Sequence, residues 1–128
     1  MFADKHHLKI GREGEDLISR ILLNNHWQII ERNFRRKSDE IDIIAKSPDR
    51  TIVFIEVKTI LIWENTKLTP EDNLTRAKLK KISRTCEFFA RENPLLINED
   101  KGWRIDLFAV DMGQNGKPSA VRHYRNIA

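Results

Sequence analysis

Near the start of the chain, Gly14, Leu17, Ile18, Ile21 and Leu22 recur at i, i+3, i+4, i+7 and i+8, the stripe of an amphipathic helix with one face on a core. The spacing predicts a helix to about Asn25, with Asn24-Asn25 as its stop. The period then changes. Trp27 to Glu31 predicts a short first strand, followed by a basic loop carrying Arg32, Arg35, Arg36 and Lys37. Glu40 to Lys46 (EIDIIAK) and Thr51 to Thr59 (TIVFIEVKT) are rich in Ile and Val, and Ser47-Pro48-Asp49-Arg50 between them has turn composition, so a hairpin is predicted. Thr69-Pro70-Glu71-Asp72 offers an N-cap, a proline at the first helical position and acids in the first turn. Leu79, Ile82, Cys86 and Phe89 trace the buried stripe of this second helix, which ends at Asn93-Pro94. Ile105 to Met112 (IDLFAVDM) predicts a further strand, and Gln114-Asn115-Gly116-Lys117 a turn into a short C-terminal strand. The order α-β-β-β-α-β-β predicts an α/β fold, a central mixed sheet with a helix on each face.

Composition narrows the class. A length of 128 residues suits one domain over 1–128, and 40% hydrophobic with 33% charged residues supports a globular core, excluding disorder and fibrous repeats. Cys86 is the only cysteine, so an intrachain disulfide and a four-cysteine zinc site are excluded. Glu56 and Lys58 interrupt the strongest apolar run, Thr51 to Trp63, so no membrane span is expected. Met1 to Ile10 is too charged for a secretory core, and the expected location is the cytoplasm. Lys and Arg total 23 against 19 for Asp and Glu, a net charge of +4 that permits nucleic-acid binding without requiring it.

The candidate chemistry lies in the hairpin. Residues two apart in a strand share a face, which groups Glu56 with Lys58 and Glu40 with Asp42. If Lys46 pairs with Ile52, antiparallel counting sets Asp42 opposite Glu56, with Cβ atoms about 5 Å apart; a slip of one residue would separate them onto opposite faces. The flanks Val53, Phe54, Ile55 and Val57 imply an interior strand with a partly desolvated end. Two carboxylates there repel by about 4 kcal/mol at about 4 Å and an effective dielectric near 20. Lys58, a shared proton or a bound divalent cation would offset that repulsion. Mg²⁺, with Mn²⁺ as the alternative, suits a site of two carboxylates, water and substrate phosphate. Lys58 beside such a site can orient or deprotonate a nucleophile, or neutralise charge at phosphorus, as phosphodiester hydrolysis requires. An isolated Glu-x-Lys pair more simply reads as a salt bridge on a solvated sheet edge, but these neighbours are apolar.

Asp42, a turn and then Glu56-Val57-Lys58 resemble the Asp...Glu-x-Lys core of the restriction-endonuclease-like, or PD-(D/E)xK, nuclease superfamily. More narrowly, the chain from about residue 10 onward resembles the bacterial YraN family of endonuclease-like proteins. The likeness is carried by Gly11, Gly14-Glu15, Arg32-Asn33, Glu40-Ile41-Asp42, Phe54-Ile55-Glu56-Val57-Lys58, Thr75-Arg76-Ala77-Lys78 and Arg104-Ile105-Asp106. It implies a restriction-endonuclease-like core and an active site of Glu15, Asp42, Glu56 and Lys58, with Asp42 and Glu56 as metal ligands. Glu15 stands at the edge of the first helix's apolar stripe, with Ile18 and Leu22 at i+3 and i+7, where it can reach the sheet. Its alternative role is an acid in an early turn interacting with the macrodipole. Two positions depart from the family pattern: Asp39 replaces the usual glycine before Glu-Ile-Asp, and Ile60 stands where an arginine commonly follows Glu-x-Lys.

Further basic residues bear on substrate. Arg32, Arg35, Arg36 and Lys37 place four positive charges in a span of six residues next to the proposed site, and Lys78 is the preferred phosphate contact on the second helix. Arg104 and Asp106 share a strand face and read either as a structural pair or as substrate contacts. Cys86 reads as a core residue, and His6, His7, His26 and His123 lack ligand spacing and read as surface residues. The expected function is therefore metal-dependent hydrolysis of DNA, on branched or processed substrates, with a homodimer as one arrangement. The alternatives are a nuclease fold that binds nucleic acid without cutting it, and a KH-type single-strand binder built on Ile10-Gly11-Arg12-Glu13-Gly14.

Overall fold

The computed structural model describes residues 5–62 and 74–128, with the backbone alone for 5–8. Helix α1 (Lys5–Asn24) leads into β1 (Gln28–Arg36), β2 (Asp39–Lys46) and β3 (Ile52–Leu61). Helix α2 (Arg76–Glu92), a 3-10 turn at Pro94–Leu96, β4 (Trp103–Met112) and β5 (Pro118–Tyr124) follow. The strands form one sheet in the order β1-β2-β3-β4-β5, antiparallel throughout except for the parallel pair β3 and β4. This is the α/β mixed sheet that the hydrophobic pattern predicts. A parallel neighbour needs a long crossover, and α2 lies within it.

Lys46 pairs with Ile52, the register under which Asp42 comes level with Glu56. The turn is closed by Ser47 N donating to Thr51 O at 2.9 Å and Arg50 N to Ser47 O at 2.8 Å. Asp49 accepts from the Ser47 hydroxyl and from Thr51 N, which holds its carboxyl well below the usual range.

The two central strands bury both faces. Val53 and Ile55 of β3 pack with Ile10, Ile18 and Leu22 of α1 and with Phe108, Val110 and Met112 of β4. Ile52 and Phe54 face the other way, against Cys86 and Phe89 of α2 and Ile105 of β4. Strict alternation between two apolar surroundings is why β3 and β4 read as almost continuous Val and Ile runs. Against β3, α1 makes an unusually close approach: a Cβ built on Gly14 would lie 2.0 Å from Thr59 Oγ1.

Two expectations change, and a third lies outside the described residues. The basic segment after Trp27 is not a loop: β1 runs to Arg36 and pairs with β2, so Arg32, Arg35 and Arg36 are strand residues and only Lys37 enters the turn, at φ 60°. Pairing with β2 outweighs the polar composition, while Ile29, Ile30 and Phe34 supply the apolar contacts. Gly11 and Gly14 lie inside α1, so no exposed loop exists there and the KH reading falls. The cap expected at Thr69 lies outside the described residues; described α2 is capped by Thr75, whose hydroxyl accepts from Lys78 N at 3.2 Å. Among the described residues no helix is long and apolar enough to cross a membrane.

Candidate functional site

The site forms where the hairpin ladder stops. Pairing of β2 with β3 runs from Lys46–Ile52 to Ile43–Ile55, and at the next position Asp42 turns its carboxylate to the backbone. Its Oδ2 accepts from Val57 N at 2.8 Å. The strand also changes phase here: Ile43 and Ala45 pack on the α1 side, but Ile41 joins Ile44 on the α2 side. A strict two-residue period would have kept Ile41 with Ile43. At the same level of β1, Asn33 has φ 55° and drops out of the pairing between Arg32–Ile43 and Phe34–Ile41. A left-handed residue inside a strand is a local irregularity that re-aims side chains.

Asn33 uses that geometry. Its Nδ2 donates to Glu15 Oε1 at 3.0 Å and to Glu40 Oε1 at 2.9 Å, tying an acid on α1 to one on β2. Glu15 reaches the sheet edge because Gly14, one residue earlier, lets α1 lie against β3. Arg32 Nη1 pairs with Asp16 at 2.8 Å and Nη2 stands 3.7 Å from Glu15, while Arg35 Nη2 pairs with Glu40 at 3.2 Å.

Four carboxylates act on one another here. Burial pushes Asp42 up to about 7, helped by the charges of Glu15 and Glu40 and opposed by the Val57 N–H and by Lys58. Burial pushes Glu56 up to about 9, with Asp42, Glu40 and Glu15 adding to the shift and the Asp42 backbone N–H opposing it. Glu56 Oε1 is buried with no hydrogen-bond partner. An unpartnered carboxylate oxygen away from water is costly and calls for a proton or a cation.

A cavity of about 280 Å³ opens beside Glu56, between the end of β3 and α2. Asp39, Glu40 and Glu56 line one part, Lys58, Lys78 and Lys81 supply cations, and Ile82 and Leu107 are apolar members of the wall. Lys58 is exposed and makes no ion pair among the described residues. Cys86, packed in the core, has its thiol pushed up by burial and by the nearby Glu56 charge, and is not a nucleophile. Among the described residues no three Asp, Glu, His or Cys side chains gather closely enough to hold a metal ion between them. Two carboxylates with one orphaned oxygen do suit Mg²⁺, which commonly takes only one or two protein carboxylates and keeps water.

A family model described as "Uncharacterised protein family UPF0102" matches residues 14–110, from the Gly14 contact into β4. The chain belongs to the UPF0102 family. It is the YraN family whose motifs the sequence carries. A UPF0102 protein of Prosthecochloris aestuarii is 44% identical over 101 residues, covering 79% of this chain and 75% of the relative. One of Pelobacter propionicus is 32% identical over 117 residues, 91% of this chain and 79% of that protein. One of Thermotoga maritima is also 32% identical over 117 residues, covering 91% and 94% of the two chains. Every residue of the carboxylate cluster lies inside the span matched by the UPF0102 model.

Glu15, Asp42 and Glu56, expected together, do form one electrostatic unit in this UPF0102 chain, with Lys58 acting on Asp42. The expected nucleic-acid contacts divide. Lys78 lines the cavity. Arg32 and Arg35 are instead paired with acids, Arg36 lies over the Phe88 ring at 4.3 Å, and Lys37 sits in the turn. Sequence reasoning left Asn33 without a role, because only the tertiary fold brings Glu15 and Glu40 to its amide. Lys81 was legible as the residue one helical turn from Lys78.

Proposed function

We propose that this chain is a metal-dependent nuclease of restriction-endonuclease-like fold that hydrolyses DNA phosphodiester bonds in the cytoplasm. The observation that carries the reading is the desolvated pair Asp42 and Glu56, with Glu56 Oε1 unpartnered beside a cleft lined by Lys58, Lys78 and Lys81. Asp42 and Glu56 would hold Mg²⁺ or Mn²⁺, which supplies Lewis-acid stabilisation and a more acidic water. Glu15 and Glu40, joined through Asn33, keep the surrounding charge negative and orient the cluster. Lys58 stabilises negative charge at phosphorus or takes part in proton transfer at the nucleophile. Lys78 and Lys81 draw the phosphate backbone across the cleft. Cutting both strands of a duplex takes two such sites, so a second copy of the chain is the partner expected on duplex substrate.

The test is Mg²⁺- or Mn²⁺-dependent cleavage of branched, single-stranded and duplex DNA by the wild type and by folded Glu56→Ala and Lys58→Ala variants. Each substitution is expected to lower the rate by about 10² or more. Cleavage that survives both changes rejects the mechanism. Asp39, which adds an acid to the cleft, favours a second reading in which the fold binds nucleic acid without cutting it. That reading predicts salt-sensitive DNA binding, unchanged in both variants, with no cleavage by any form.

A further inference from the structure

Away from the cleft, the fold gathers basic side chains and leaves guanidinium donors of Arg104 and Arg125 without protein acceptors among the described residues. Asp106 is fully buried on the α1 side of β4 and accepts from Arg104 Nε at 3.0 Å, Asn126 N at 2.9 Å and His123 Nε2 at 2.7 Å. Burial pushes its carboxyl up, but the three donors outweigh that and hold it below the usual range. Arg104 is thereby locked in place with its side chain only 14% exposed, while its Nη groups meet no acceptor among the described residues. His123 stacks on Phe108 at 4.0 Å between centroids, which holds the ring against β4. Arg125 makes no ion pair among the described residues.

These donors and Trp27 line a cavity of about 290 Å³. Arg104 Cζ stands 6.0 Å from the Trp27 ring centroid. Asp49 also borders the cavity, but its carboxylate is occupied by the Ser47 hydroxyl and Thr51 N. Guanidinium forks suit phosphate oxygens, and an indole face stacks on a base. We propose that this cavity binds a nucleotide, with its phosphate on Arg104 and Arg125 and its base against Trp27. The site is separate from the cleft. Arg104 pairs beside Val53 on the α1 side of the sheet, whereas the cleft residue Leu107 lies three positions further along β4 and faces α2. The inference does not depend on the nuclease reading.

The nucleotide is either free or the phosphorylated end of a strand. The test follows the Trp27 indole N–H resonance of the ¹⁵N-labelled full chain, identified by its loss in Trp27→Phe, during titration with AMP, adenosine and a 5′-phosphorylated trinucleotide. AMP is expected to move the resonance saturably and to bind at least about tenfold more tightly than adenosine. Arg125→Ala removes no intramolecular bond and is expected to weaken AMP about tenfold with the remaining spectrum unchanged. Tighter binding of the trinucleotide than of AMP identifies a strand end as the ligand; tighter binding of AMP identifies a free nucleotide. Overturning results are a Trp27 resonance that millimolar AMP leaves unmoved, equal affinity for AMP and adenosine, or an Arg125→Ala protein that binds AMP as the wild type does.

Discussion

Asn33 joins backbone conformation to site electrostatics. Its φ of 55° is tolerated by asparagine better than by most residues with a Cβ, and its amide donates to two acids at once. Asn33→Ala loses both hydrogen bonds and keeps the left-handed strain, so a stability loss of about 1–2 kcal/mol is expected from urea unfolding. Asn33→Gly loses the same bonds without the strain and is expected to be about 1 kcal/mol more stable than the alanine variant. Equal stabilities would show that the backbone there is not strained. Arg32 and Arg35 are counter-charges at single positions: two of the four basic residues beside the proposed DNA site are paired with neighbouring acids, Asp16 and Glu40.

At the level of elements, the contact of α1 with β3 decides where Glu15 sits. Gly14→Ala would gain up to about 1 kcal/mol of helix propensity, yet its Cβ would lie 2.0 Å from Thr59 Oγ1, and overpacking commonly costs about 1–3 kcal/mol. A net destabilisation is expected, together with weaker metal binding as Glu15 moves off the cluster. Thr59→Ala removes the obstructing hydroxyl, which is buried without a partner in the wild type. The pair Gly14→Ala/Thr59→Ala is therefore expected to recover most of the stability, and strictly additive losses in the double-mutant cycle would contradict this packing account.

For the whole molecule, the cluster makes stability depend on pH and metal. Asp42 and Glu56 have folded-state pKa values raised to about 7 and about 9, so above the ordinary carboxylate value near 4 the unfolded chain releases protons that the fold retains. The stability they contribute is fully present at acidic pH and is lost as pH rises through those raised values. In EDTA the melting temperature is expected to fall from pH 5 to pH 9, with a shallower fall in Glu56→Gln. Asp106 works in the opposite sense: its depressed pKa means that its contribution is lost on acidification. Mg²⁺ favours the ionised acids, so it should raise the melting temperature more at pH 8 than at pH 6. Calorimetric scans across this range test the pair, and an EDTA profile identical in wild type and Glu56→Gln would remove Glu56 from the account.

Much of this arrangement is legible in local pattern, because helix and strand periods and turn chemistry act over a few residues. The 3.6-residue stripes of α1 and α2 and the Val and Ile runs of β3 and β4 follow from side-chain periodicity, and turn composition marks the hairpin, but its Lys46–Ile52 register, which encloses five residues, is decided by the folded ladder. The meeting of Asp42, Glu56 and Lys58 is legible in the sequence only once that register is assumed, because a slip of one residue would turn the two strands' acids to opposite faces. Tertiary contact decided the remainder. Pairing with β2 drew the basic segment into β1, the close approach at Gly14 brought Glu15 to the sheet, and the phase slip at Asp42 let Asn33 join Glu15 to Glu40. Asp106 gained its three donors from β4, β5 and the C-terminal segment in the same way. Burial sets the charge state of such groups, and burial depends on residues distant in sequence that pack together only once the chain has folded.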